Sequence, residues 1–252
     1  MISPKCAAVR ESSVIKSNDL IQKSRFFLSL QQQKIILFLI SQIDPQDSEF
    51  KLYTFSISDF CKVCGIDYDS GGNHSALKEQ IKKLADKSLW VTLPNGNETL
   101  LRWIEKPYIS TADKTIKIKL DNDMKPYLLQ LKSRFTRYEL VYTLHFDSKY
   151  SIRLYELVKS VHFNELREYK KAFTVDEIAQ RLGAEQYKEY RDLKRRAILP
   201  AVREINEHSD KNIEYTEIKD GKKVTGVVFT ISTKCPADRL HVFATICKDT
   251  DK

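Results

Sequence analysis

The chain has 252 residues and carries 42 Lys and Arg against 34 Asp and Glu, a formal charge of +8. That length suffices for two domains of ordinary size, the composition is that of a folded chain rather than a disordered one, and the basic excess favours a polyanionic partner. Met1–Lys16 lacks the apolar core of a signal peptide, and the longest apolar run, Ile35–Ile40, falls far short of the ~20 residues of a membrane span. Five unevenly spaced cysteines indicate reduced thiols, so a cytoplasmic chain with no membrane attachment is expected.

In chain order, residues 1–13 read as a flexible tail and Val14–Phe27 as a lead into the first domain. Ser29 is positioned to cap a helix over Leu30–Ile43, which Asp44-Pro45 ends. A short strand over Leu52–Phe55 precedes a short helix over Ser58–Val63, capped by Ser58 and closed by Gly65. After an Asp69–Asn73 loop, Ser75–Lys87 is amphipathic, with Leu77, Ile81 and Leu84 inward. Leu89–Leu93 and Thr99–Ile104 flank Asn95-Gly96, a hairpin signal. Thr115–Leu120 alternates as a half-buried strand does, and Asp121–Leu131 reads as a helix with Pro126 early in it.

The pattern then repeats. Ser148 caps a helix over Ser151–Phe163, and Phe173-Thr-Val-Asp-Glu-Ile-Ala-Gln-Arg-Leu-Gly183 lies without a gap over Phe55-Ser-Ile-Ser-Asp-Phe-Cys-Lys-Val-Cys-Gly65 at an offset of 118. With three more residues inserted, Ile81–Leu84 falls on Val202–Ile205, and the Asn95-Gly96 hairpin corresponds to Asp220-Gly221. Two copies at this spacing are duplicated domains rather than a solenoid. The expected fold is α+β, two tandem winged-helix domains at 14–132 and 133–233, with a C-terminal tail over 234–252.

Within the second copy, Tyr190, Leu193, Ala197, Ala201 and Ile205 recur at helical spacing and give Tyr187–Asn206 one apolar face. Arg196 and Arg203 point away from it, Lys188, Asp192 and Arg195 flank them, Arg191 lies near the edge and Lys194 nearer the stripe. Short helix, basic helix and hairpin in this order suit a DNA major groove, although a solvated basic face alone gives the same pattern. Arg matches the guanine edge as a fork, so base contacts are expected among Arg191, Arg195 and Arg196 and phosphate contacts from Lys188, Lys194 and the wing-tip Lys222 and Lys223, with Arg203 a further DNA-binding candidate. The first copy offers Lys78, Lys82 and Lys83, preceded by Asn73, His74 and Ser75, with Arg102 and Lys106 on or after its hairpin; these suit weaker contacts to phosphate. Pro200 removes a backbone donor and crowds the Arg196 carbonyl, so a kink is expected there.

Ser151-Ile-Arg-Leu-Tyr-Glu-Leu157, Phe173-Thr-Val-Asp-Glu-Ile178 and Lys194-Arg-Arg-Ala-Ile-Leu-Pro-Ala-Val-Arg-Glu-Ile-Asn206 together resemble the signature of Rep_3-type plasmid replication initiators, the iteron-binding initiators of theta-replicating bacterial plasmids. Asn18-Asp-Leu-Ile21 and Leu30-Gln-Gln-Gln-Lys-Ile-Ile-Leu37 extend the resemblance to roughly residues 14–232. It implies a homodimer formed through the first domain in equilibrium with monomer, binding to directly repeated double-stranded origin DNA, opening of adjacent AT-rich DNA, and recruitment of the host initiator and replicative helicase. A winged-helix transcriptional regulator that represses its own gene is the alternative.

Enzyme chemistry finds little support. There is no Gly-x-x-x-x-Gly-Lys-Ser/Thr loop for ATP and no His-x-His pair for nicking. The acid pairs Asp67/Asp69 and Asp121/Asp123 could serve Mg²⁺ in a primase or polymerase, but sit where Asp is common as a turn or cap residue. Cys61 and Cys64 align with the apolar positions Ala179 and Leu182, which makes them buried thiols rather than metal ligands. Cys6, Cys235 and Cys247 are isolated, and neither catalytic residues, a metal nor a cofactor is expected. Tyr53, Phe55, Phe60, Tyr155 and Phe173 occupy core-like positions.

Overall fold

In the computed structural model, which describes residues 12–44, 46–66, 75–164 and 166–249, the chain divides into two compact units between Leu144 and His145. The expected division at 132/133 falls earlier, because β8 (Phe135–Glu139) pairs antiparallel with β1 (Ser13–Ser17) and ties the end of the first unit to its beginning. Of the sequence expectations, residues 1–11 of the tail expected over 1–13, the loop over 69–73 with Asn73, His74 and the pair Asp67/Asp69, and Cys6 lie outside the described residues, as does the side chain of Cys247, whereas Ser13 opens β1 and is not tail.

In the first unit α1 (Asn18–Lys23) starts on Ser17, whose hydroxyl accepts the Leu20 N–H. It leads through β2 (Ser24–Arg25) to α2 (Leu30–Ile40), buried on nearly every side. Ser29 and Gln32 form a reciprocal capping box on α2, each side chain taking the other residue's backbone N–H. β3 (Tyr53–Ser56) runs into α3 (Ile57–Cys64). The cap is Ser56, which accepts from Asp59 N–H at 3.1 Å, and not Ser58: the helix begins one residue before Ser58, so Ser58 already has helical neighbours on both sides. Gly65 closes α3 at φ +65°, where a side chain would be strained. α4 (Ser75–Ala85) buries Leu77, Ile81 and Leu84 as its spacing requires.

Phe38, Phe55 and Phe60 form an aromatic cluster with centroids 4.9–5.7 Å apart between α2, β3 and α3. Cys61 and Cys64 are fully buried beside it. Burial pushes the Cys61 thiol up to about 11, so it stays un-ionised at neutral pH. No group of three His, Cys, Asp or Glu side chains among the described residues could hold a metal ion.

After α4 the chain makes two hairpins: β4 (Ser88–Thr92) with β5 (Glu98–Arg102), and β6 (Tyr108–Ser110) with β7 (Thr115–Ile118). The loop at Asn95 has Leu93 bonded to Asn97 and Gly96 at φ +84°, so three residues rather than two make the turn. β4 and β5 form a sheet with β2, whereas β3 pairs with β7 in the order β3-β7-β6. Ile116 and Ile118 supply the fully buried face that β3 needs. An α-helix over Asp121–Leu131 is not formed. Asp121 caps a 3₁₀ turn, Asn122–Met124, accepting from Asp123 N–H at 3.0 Å, and only α5 (Lys125–Leu128) follows before Leu129 turns extended. Leu140–Leu144 is α6.

The second unit opens with α7 (Lys149–Val161), capped by the Ser148 hydroxyl. β9 (Tyr169–Thr174) and α8 (Val175–Leu182) follow, with a capping box between Thr174 and Glu177 and Gly183 left-handed at φ +63°. α8 and α3 are both eight residues long, start 118 apart and end on a left-handed glycine, as the repeat requires. β10 (Lys211–Asp220) and β11 (Lys223–Thr233) form the hairpin. The sheet order β10-β11-β9 matches β6-β7-β3, with Val227 opposite Phe173 where Ile116 is opposite Phe55. By pairing, the counterpart of the Asp220-Gly221 hairpin is therefore β6–β7, not the Asn95-Gly96 hairpin, which is an extra excursion in the first unit. Gly226 lets β11 and β9 close: a Cβ there would lie 2.6 Å from the Phe173 carbonyl oxygen.

The tail expected at the C-terminus contains a helix, α11 (Pro236–Asp249), packed on the helix that precedes β10. Lys234 leads into it, its ammonium donating to the carbonyls of Asn206 and Ser209. Among the described residues no helix is long and apolar enough to cross a membrane.

Candidate nucleic-acid interface

The basic segment folds as one helix of three pieces: α9 (Tyr190–Leu193), a π turn (Lys194–Ile198) and α10 (Leu199–His208). At the position of the expected kink, Pro200 is preceded by the π turn. The Leu199 N–H reaches back five residues to the Lys194 carbonyl, so the widened turn precedes the ring that would otherwise crowd the Arg196 carbonyl. Leu193, Ala197, Ile198, Ala201 and Ile205 are fully buried, which holds the opposite side to solvent. The Glu204 carboxylate accepts the N–H groups of Asp147 and Ser148, fastening α10 to the entry of α7.

Arg191, Arg195, Arg196 and Arg203 are exposed along that outer side, with Lys188 exposed just ahead of α9. Asp192 bonds Arg195 at 3.2 Å and lies 3.5 Å from the Arg196 Nε, one helical turn away. The Arg196 guanidinium also rests 5.9 Å from the Tyr187 ring centroid. Among the described residues no ion pair engages Arg191, Arg203 or Lys188. The hairpin tip is basic as well: Lys222 and Lys223 are exposed beside Gly221, which turns at φ +57°.

Lys194 behaves differently from the other cations. Its ammonium lies 2.9 Å from Glu217 on β10 and 5.9 Å from the Tyr215 ring centroid. The Tyr190 hydroxyl, one turn earlier, donates to the same carboxylate oxygen of Glu217 at 3.1 Å. The hydrogen bond to Glu217 raises the Lys194 pKa, and Lys194 in turn lowers that of Glu217. Burial, then Glu217, pushes the Tyr190 hydroxyl well above the ordinary tyrosine range. These contacts lock the start of the helix to the hairpin. Glu217 and the double role of Asp192 were not anticipated. The Asp192 spacing to Arg195 and Arg196 could have revealed its pairing, whereas only the tertiary fold reveals Glu217.

In the first unit Lys78, Lys82 and Lys83 are exposed on α4, with Lys83 paired to Glu79 at 2.8 Å. Arg102, on β5, and Lys106, after it, are exposed too. The helix offers three cations and no arginine, against four arginines on the three-piece helix of the second unit.

Residues 13–159 match the family model described as Initiator Replication protein, WH1, and residues 174–231 that described as Initiator Rep protein, WH2. The chain belongs to this replication initiator family. An Escherichia coli replication initiation protein is 23% identical over 229 residues, covering 88% of this chain and 70% of the relative. Among solved structures, the Pi initiator protein in complex with iteron DNA superposes with a TM-score of 0.67 at 18% identity, over 89% of this chain and 98% of that one. The likeness supports the tandem winged-helix fold of the initiator, in which α8, the three-piece helix and the β10–β11 hairpin form the second winged helix.

Proposed function

We propose that this initiator starts plasmid replication by binding directly repeated, iteron-like sequences in double-stranded origin DNA. The three-piece helix enters the major groove and the β10–β11 tip follows the backbone. The observation that carries this reading is the solvent-facing row of arginines on a helix that Lys194 and Tyr190 fasten to the wing through Glu217. Arg191, Arg195 and Arg196 take base edges; Lys188, Arg203, Lys222 and Lys223 take phosphates. Lys194, already engaged by Glu217, acts by aligning helix and hairpin. Lys78, Lys82 and Lys83 add phosphate contacts from the first unit, which also supplies the homodimer contact in exchange with monomer. Bound protein promotes opening of the origin and brings in the host initiator and replicative helicase. It acts in the cytoplasm as a binding protein rather than an enzyme, a reading supported by Asp121, which is used as a cap.

The test is titration of a duplex carrying the direct repeats beside its gene, across a range of salt, with wild type and the Arg195→Ala/Arg196→Ala variant. Wild type should bind the repeats specifically, with log affinity falling by about 0.9 per phosphate contact for each unit of log salt. The double variant should lose its preference for the repeats. Equal binding by variant and wild type sinks the assignment of this helix as the reader.

A further inference from the structure

Among the large apolar side chains exposed on the second unit, one stands in the middle of the arginine row. Leu199 is 43% exposed, four residues after Arg195 and four before Arg203. In a plain α-helix four-residue steps precess around the axis. The π turn holds one residue more, which keeps Arg195, Leu199 and Arg203 in line on the outer side. The buried positions near it along the helix are taken by Ala197, Ile198 and Ala201.

Isolated exposed leucines are ordinary on protein surfaces and mean little by themselves. Position decides here. The flanking cations would draw this face against a duplex and leave the leucine between them, without charge or hydrogen-bonding group. Along the major groove, the apolar group that a base pair offers is the C5 methyl of thymine.

We propose that Leu199 reads a thymine methyl, the second element of a mixed code in which arginines take guanines and this leucine takes a thymine nearby. At about 1.5 Å of rise per residue, Leu199 lies about 6 Å along the axis from Arg195. With base steps of about 3.4 Å, the thymine falls roughly two steps from the guanine that Arg195 contacts. The inference rests on the proposed DNA-binding function and adds a base-specific partner to it.

The experiment uses full-length protein and the origin repeat duplex, with each thymine replaced in turn by uracil, which lacks only the methyl. Wild type and Leu199→Ala are titrated against every duplex. Alanine is a better helix former than leucine at this exposed position, and circular dichroism checks that the fold is kept. One thymine should stand out: its replacement weakens wild type about fourfold, the worth of one buried methyl-sized group. Leu199→Ala should bind the unmodified duplex about as weakly and be indifferent to that replacement. If the variant keeps every uracil penalty of wild type, or no replacement affects wild type while it still prefers the repeats, Leu199 is not the reader although the function stands. If wild type does not prefer the repeats over a scrambled duplex, the proposed function and this inference both fall.

Discussion

Lys194 and Glu217 meet at 2.9 Å across the gap between the three-piece helix and the hairpin, although sequence alone ranks Lys194 with the expected phosphate-binding cations. The two roles separate by salt dependence. Lys194→Met should leave the slope of log affinity against log salt unchanged while lowering affinity for the repeats. Lys222→Ala should flatten the slope by about 0.9 and weaken repeat and scrambled duplexes alike. A slope change for Lys194→Met would return it to the phosphate contacts.

The same pair sets a pH window for stability. Glu217 has its pKa lowered in the fold, so its contribution is present above the ordinary glutamate range and lost as pH falls through the folded value. Lys194 has its pKa raised, so its contribution is present below the ordinary lysine range and lost as pH rises through the folded value. The difference in unfolding free energy between wild type and Glu217→Gln should therefore be flat from about pH 6 to 9 and shrink at acid pH. With both side chains partly open to water, the plateau should stay within about 1 kcal/mol. Urea titrations across pH measure it.

Asp192 places a negative charge among the arginines proposed to take base edges. Its ion pairs with Arg195 and Arg196 restrain both guanidinium groups, and under the proposed function its charge would repel a phosphate that approaches without base contacts. Asp192→Asn should raise affinity for scrambled duplex several-fold and lower the ratio of specific to non-specific binding. Competition titration reads both, and an unchanged ratio would remove Asp192 from the specificity apparatus.

Caps offer a test of the repeat itself. Thr174 and Ser56 occupy matching positions, 118 residues apart, and each accepts an N–H from the third helical residue. Thr174→Ala and Ser56→Ala should each cost about 1 kcal/mol in chemical denaturation, whereas Ser58→Ala should cost a few tenths at most.

Cys61 and Cys64 are spaced as metal ligands often are, yet are packed in the first unit's core. A chelator should leave the melting temperature unchanged. Cys61→Ser should cost about 1–3 kcal/mol through its buried hydroxyl, with Cys61→Ala milder.

Local signals carried well from sequence to structure. Ser29, Ser148, Gly65 and Gly183 sit at the helix ends their chemistry suggests, and Leu77, Ile81 and Leu84 are buried as their spacing requires. Strand pairing carried poorly, because Phe55 has no local feature that selects Ile116 rather than a residue of the Asn95-Gly96 hairpin as its neighbour. The unit boundary could be placed only roughly for the same reason: β8 belongs with β1 through a partner more than a hundred residues away. At the candidate interface, the exposed arginines were legible from periodicity, but Glu217 was not, since nothing within β10 indicates what faces it.

The π turn ahead of Pro200 has a consequence for phase. A plain helix is a rod with one angular setting, so a neighbour at one end dictates the direction of the other. Here Tyr190 and Lys194 answer to the hairpin, while Glu204 answers to the entry of α7. The surplus residue lets both hold at once. Wound as a plain α-helix, the same residues would lengthen the rod by only about 1.5 Å, yet swing everything beyond them by up to about 100°. Arg203 and Leu199 would then no longer share a line of sight with Arg195. Within this helix, the length of the chain works as an angle.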